Sequence, residues 1–188
     1  MKRVYRLKNR LLTGSLFVAI CAVSLSFSRY AEIVTAPDAP ASPGVSPKDQ
    51  KFLNSAAEIN LEEIQLGQLA QQAGKKAEVK DLGQMMERDH KTTLNELIEL
   101  AKNKSVTIPT QPNEKAEEAY RKLSDKAELN FDRDYCDMMI KGHQDAISLF
   151  REESTATGDE DIRKWVLATI PHLQKHLEHS MACRNKVK

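Results

Sequence analysis

"AEVKDLGQMMERDHKTTLNELIELAKN", residues 77–103, decides the fold. Val79, Leu82, Met86, Leu94, Leu97 and Ala101 recur at helical spacing and share one stripe. His90 falls near the centre of that stripe, where the repeat asks for a leucine, and Asp89 and Glu87 flank it toward the rim. A long helix with a single apolar face needs partners with matching faces.

Three more such helices are present. Ser46-Pro47 is a start signal, a capping hydroxyl followed by proline in the first turn, and the helix it opens runs to Ala73, with Gly74 as its stop. Its stripe is Phe52, Ala56, Ile59, Leu66 and Ala70, and Glu63 lies in the middle of it. A third long helix is expected from Glu128 to Thr157, facing inward with Cys136, Met139, Ile140, Ala146, Ile147 and Phe150. His143 is central there, and Asp132 lies on the same stripe three turns earlier. The fourth is capped by Asp159 and reaches Asn185, with Ile162, Trp165, Val166, Thr169, Leu173, His176 and Cys183 on its stripe and His172 and His179 at the edge. Pro171 removes one backbone hydrogen bond and is expected to kink this helix just before His176. "NEKAEEAYRKLSD", between the second and third long helices, reads as an extra short helix. The expectation is an all-α antiparallel four-helix bundle over residues 48–186, each long helix ~40 Å in length.

Register places the polar residues. About the turn near residue 75, Glu63 and His90 are offset by ~3 residues, or ~4.5 Å along the axis. About the turn near residue 158, His143 and His176 come within ~3 Å of level. Each long helix thus brings one inward polar side chain to one slice: Glu63, His90, His143 and His176. Three imidazoles and a carboxylate suit a divalent transition metal such as copper, iron or zinc, or else a hydrogen-bonded core network. Asp89 and Asp132 are candidate supporting residues. Met86 and Met139, one turn from His90 and His143, would be soft copper ligands if they are not core filling. Glu87 and His90 form one half of a di-iron pattern whose other half is missing, because Ile140 and Leu173 occupy the matching positions. Cys136 and Cys183 come level on inward stripes. A disulfide, two buried thiols and extra soft ligands are the readings open to them.

The first residues differ in kind. Lys2, Arg3, Arg6, Lys8 and Arg10 precede an apolar run from Leu11 to Phe27, the pattern of a signal peptide or an N-terminal anchor over residues 1–28. Export to the periplasm or cell envelope follows, with membrane contact only through this segment if it is retained. A Pro/Ala/Ser-rich linker, residues 29–47, comes next. Without those five of its 28 basic residues, the chain keeps 23 against 27 acidic ones. No basic face is left for a nucleic-acid partner.

"AAEINLEEIQLGQLA", "MMERDH", "FDRDYCDMMIKGHQDAISLF" and "IPHLQKHL" occur in this order. In this the chain resembles domain-of-unknown-function family 4142, a bacterial envelope family whose members are commonly labelled outer membrane proteins. The resemblance covers residues 48 to 182. It implies a ferritin-like four-helix bundle exported across the inner membrane, with recurring polar positions at Glu63, Asp89, His90, Asp132, His143 and His176. Asn60-Leu61-Glu62 is bulkier than the family's usual small residues, and Cys136 is uncommon at its place. The family supplies no reaction. Three functions follow as expectations: a metal-binding bundle of the envelope, a structural or interaction module without metal, and a metal-dependent redox enzyme. There is no glycine-rich phosphate loop, nucleophile elbow or Cys-x-x-Cys, so the sequence assigns no catalytic residues.

Overall fold

The structure is a computed structural model that describes residues 44–125 and 130–187. The expected signal or anchor, residues 1–28, and most of the linker lie outside the described residues. Among the described residues are five helices: α1 (Pro47–Ala73), α2 (Ala77–Asn103), α3 (Glu114–Ser124), α4 (Phe131–Ala156) and α5 (Glu160–Lys186). α1, α2, α4 and α5 form the bundle, and α3 is the extra short helix. α4 begins at Phe131 rather than at the expected Glu128, which is itself outside the described residues. α5 continues through Pro171, an exposed position, to Lys186.

Local chemistry sets the ends. Ser46 Oγ accepts from the Asp49 N–H at 3.1 Å, Asn113 Oδ1 from Ala116 at 2.9 Å, and Asp159 Oδ1 from both Asp161 and Ile162. Each satisfies donors that a first helical turn leaves free. Gly74 closes α1 with φ −59°, so its glycine is not required by a left-handed backbone. Space requires it instead, because a Cβ there would meet the Ala70 carbonyl oxygen at 2.5 Å.

Contacts at the ends fix the topology. Lys48 pairs with Glu152, and Lys104 bridges Asp159 and Asp161 at 2.7 Å each, at one end of the bundle. At the other end the carboxylate of Asp132 accepts from the Lys75 and Lys76 N–H groups, and Arg184 pairs with Asp137. α1 therefore runs down, α2 and α4 up, and α5 down. α1 packs on α2 and α4, and α5 packs on the same two, so each of these four pairs is antiparallel, while α2 and α4 touch across the diagonal in parallel. The α2-to-α4 connection must cross the whole length of the bundle, and it carries α3. One long crossover of this kind is the ferritin-like arrangement.

The interior is divided in two. The upper cluster gathers Phe52, Leu53, Leu97, Ile147, Phe150, Ile162 and Val166; the lower gathers Leu66, Val79, Met86, Phe131, Tyr135 and Met139. Between them, at mid-height, lie buried Asn60, Glu63, His90, His143 and His176. The polar slice read from register is thus the boundary between two apolar cores. The backbones of α1 and α2 come into contact just below it. A Cβ on Gly67 would come 2.7 Å from the Gly83 carbonyl oxygen, and one on Gly83 2.7 Å from that of Gly67. Glycine inside a helix costs about 1 kcal/mol relative to alanine. Here it allows two backbones to touch.

Candidate metal centre

The three imidazoles form a near-equilateral triangle. Ring centroids are 5.6 Å apart for His90 and His143, 5.1 Å for His90 and His176, and 5.3 Å for His143 and His176. They come from α2, α4 and α5 and are buried, with exposures of 3%, 1% and 3%. One nitrogen from each lies within 4.8 Å of the others.

Each ring has its proton assigned by a neighbour that can only accept. His90 Nδ1 lies 2.9 Å from Asn60 Oδ1, and the Asn60 amide cannot be turned round because its Nδ2 donates to the Ala56 carbonyl at 2.7 Å. His143 Nδ1 lies 2.8 Å from the Met139 carbonyl oxygen. His176 Nε2 lies 3.1 Å from Asp89 Oδ2. A neutral imidazole carries one N–H, so all three protons are directed outward. The lone pairs that remain are on His90 Nε2, His143 Nε2 and His176 Nδ1. His90 Nε2 is buried and has no partner. His143 Nε2 and His176 Nδ1 are 3.3 Å apart. With both protons committed elsewhere, that contact is between two lone pairs, an arrangement that a cation seated between or beside them would stabilise.

The electrostatics keep a proton from serving as that cation at neutral pH. Burial first, then the other two rings, lowers the His90 pKa well below the usual range. Burial and the His176 ring bring His143 down to about 4. Burial lowers His176 as well, against the Asp89 carboxylate, which opposes the shift. Metal-binding histidines characteristically donate their second nitrogen to a carboxylate, carbonyl or similar acceptor, and all three rings have this arrangement here.

Glu63 is buried in the same slice but stands on the outer side of His143, with Oε1 4.0 Å from Nδ1. It does not join the three-nitrogen group. Burial, reinforced by the Glu62 charge, raises its pKa to about 8, so it is protonated at neutral pH while the site holds no added charge. Its Oε2 has no partner. Gly142 makes room for it, since a Cβ there would lie 3.1 Å from Oε1.

Of the expected supporting residues, Asp89 is brought to the site and also accepts from Arg88 at 2.7 Å. Asp132 is not, because it caps the α1–α2 turn at the base of the bundle. Met86 and Met139 are fully buried in the lower apolar cluster. Met139 contributes its carbonyl to His143. Glu87 faces α1 and its own helix: Lys91, Gln68 and Gln71 hold its carboxyl down to about 2. Cys136 and Cys183 are buried free thiols whose sulfurs are 2.9 Å apart. His172 and His179 are exposed.

Sequence reasoning missed Asn60 as a site residue and read it only as a bulky departure. The register rule would have found it, since Asn60 and His90 stand at equal distance either side of residue 75, closer to level than Glu63.

Fold and site together define an all-α four-helix bundle with a buried three-histidine group able to hold a metal ion. The chain matches the family described as Domain of unknown function (DUF4142) over residues 34–183, and it belongs to that family. No curated protein matches it, and no solved structure does. Among the described residues, no helix is long and apolar enough to cross a membrane.

Proposed function

We propose that this bundle binds a divalent transition metal ion on His90 Nε2, His143 Nε2 and His176 Nδ1, in a protein exported to the periplasm or cell envelope. The observation that carries the reading is the outward commitment of all three imidazole protons, to Asn60, Met139 and Asp89. It leaves three lone pairs converging in a buried core. The 3.3 Å separation of His143 Nε2 and His176 Nδ1 also suits two ligands of one tetrahedral ion, for which bonds of ~2.0–2.1 Å give an edge of about 3.3 Å. Three nitrogens without a thioether favour zinc, copper(II) or iron(II) over copper(I). Glu63 is the carboxyl available to balance the ion's charge, as a fourth ligand or as a neighbour. Export is supported by the basic start and apolar run at residues 1–28 and by the envelope setting that the family resemblance implies.

The function proposed is sequestration or sensing of the ion. Metal analysis of the full chain purified from its native compartment, followed by titration of the metal-free protein with zinc, copper and iron salts, tests it. One ion per chain is expected, and His143→Ala should lose it with helix content intact. A wild-type protein that takes up no ion under any loading would leave the polar slice as a register device of a structural module. In that case a variant with His90, His143 and His176 replaced by leucine together with Asn60→Leu, so that the hydrogen-bonded pair is removed whole, should melt no lower than wild type.

A further inference from the structure

Between α2 and α5, below the imidazole slice, a cavity of about 320 Å³ opens to solvent. Glu78, Asp81, Met85, His179 and Cys183 are among its lining residues. None of them belongs to the three-histidine group. Cys183 forms part of the wall and is 5% exposed, whereas Cys136, behind it on α4, is completely buried. The two sulfurs are 2.9 Å apart, and Cys136 donates its S–H to Cys183. One thiol therefore meets the cavity, and a second stands directly behind it.

We propose that Cys183 and Cys136 are an oxidation site for small hydroperoxides, in which Cys183 reacts first from the cavity and Cys136 resolves it to a disulfide. In the first step the Cys183 sulfur, as thiolate, attacks one peroxide oxygen. An S–O bond forms, the O–O bond breaks, and the departing oxygen leaves as water or an alcohol after taking a proton from solvent. Sulfur loses two electrons and the peroxide gains them, giving a sulfenic acid whose hydrogen is the one the attacked oxygen already carried. In the second step the Cys136 sulfur attacks the Cys183 sulfur. An S–S bond forms, the S–O bond breaks, and water leaves with the Cys136 proton. The sulfurs must close from 2.9 Å to ~2.05 Å.

Three features support this order of events. The hydrogen bond from Cys136 is the largest influence on Cys183 and lowers its pKa below the ordinary thiol range, which favours the reactive thiolate. The same bond, followed by burial, pushes Cys136 up and keeps it a thiol until it is needed. The cavity gives a small oxidant a route: a space of this volume admits a peroxide to the Cys183 wall. The inference does not depend on metal binding.

The test uses the full chain with Cys21→Ser, so that only two thiols are counted, reduced and then held with a chelator. After hydrogen peroxide, intact mass should fall by two hydrogens and both thiols should resist alkylation under denaturing conditions. Cys136→Ser should stop at a Cys183 sulfenic acid trapped by dimedone. Cys183→Ser should slow loss of the Cys136 thiol at least tenfold. Brief exposure of the protein with both thiols present, with peptide mapping, should find the first trapped oxygen on Cys183, a readout that needs neither of these two variants to fold. Two thiols that remain fully alkylatable, equal reaction of Cys136 in the Cys183→Ser chain, or oxidation by disulfide reagents alone would each overturn the proposal.

Discussion

Asn60→Leu is the most informative single change, because it alters no proposed ligand. Leucine keeps the forked outline of asparagine, though it is bulkier, and removes the oxygen that accepts from His90 Nδ1 at 2.9 Å. Two responses are open to the ring. If Nδ1 keeps its proton, a buried donor loses its partner at a cost of about 1–3 kcal/mol. If the proton moves to Nε2, that cost is avoided, but the lone pair leaves the triangle and the site has two donors instead of three. Both weaken metal binding. Loss of a partner of this kind typically lowers affinity about 10- to 100-fold, or ~1.4–2.7 kcal/mol. Asn60→Asp should act in the opposite direction: the acceptor remains, its charge makes His90 more basic, and affinity rises. The metal-free Asp variant should nevertheless melt lower, since a carboxylate oxygen replaces the amide nitrogen that now sits 2.7 Å from the Ala56 carbonyl. Calorimetric titration against a competing chelator gives the affinities, and nitrogen-15 spectra of the imidazoles report the tautomer directly. An Asn60→Leu protein that binds zinc within twofold of wild type, or a wild-type spectrum with the His90 proton on Nε2, would refute the reasoning.

Gly67→Ala and Gly83→Ala should each destabilise the bundle by about 1–3 kcal/mol despite alanine's better helix propensity, because each added Cβ meets backbone at 2.7 Å; chemical denaturation measures this. Glu153 sits at the upper end with its pKa raised to about 7 by burial and then by its hydrogen bond to Asp49. Its folded pKa exceeds its unfolded one, so its stabilisation is full below about pH 4.5 and is lost as pH rises through about 7. Glu153→Gln should therefore match wild type at pH 4 and exceed it at pH 8 by a gap of the order of 2 kcal/mol, read from melts across that range. Zinc at about 100 times its dissociation constant should stabilise the wild type by ~2.7 kcal/mol, raising its melting temperature by several degrees, and should do nothing for His143→Ala. Peroxide-oxidised protein should unfold at higher denaturant than reduced protein, as a cross-link between α4 and α5 closing a loop of this size removes about 4 kcal/mol of unfolded-chain entropy.

The helices were legible because each carries its own evidence: an apolar stripe, a cap and a stop. Three imidazoles could be levelled because a helix rises uniformly and the two turns are short. What the sequence left open depends on side chains from different helices meeting. Met86 and Met139 are one turn from inward histidines, yet whether a side chain one turn away points into the slice or into the apolar cluster below depends on the facing helix. Glu87 has the spacing of a ligand partner but is captured by Gln68 and Gln71 of α1, a contact that no periodicity in α2 reports. Asp132 shares a stripe with His143 and serves a different end of the molecule. Gly67 and Gly83 read as mild helix weakeners until the two backbones are seen in contact.

The division of the interior into two apolar clusters has a mechanical consequence. Four rods are glued together above and below, while at the waist they face one another across ring nitrogens that repel. An ion seated there would act as a rivet, joining halves that otherwise cohere separately. Amide exchange along the middle turns of the rods would then serve as a gauge of ion supply, slow when the rivet is in and fast when it is out.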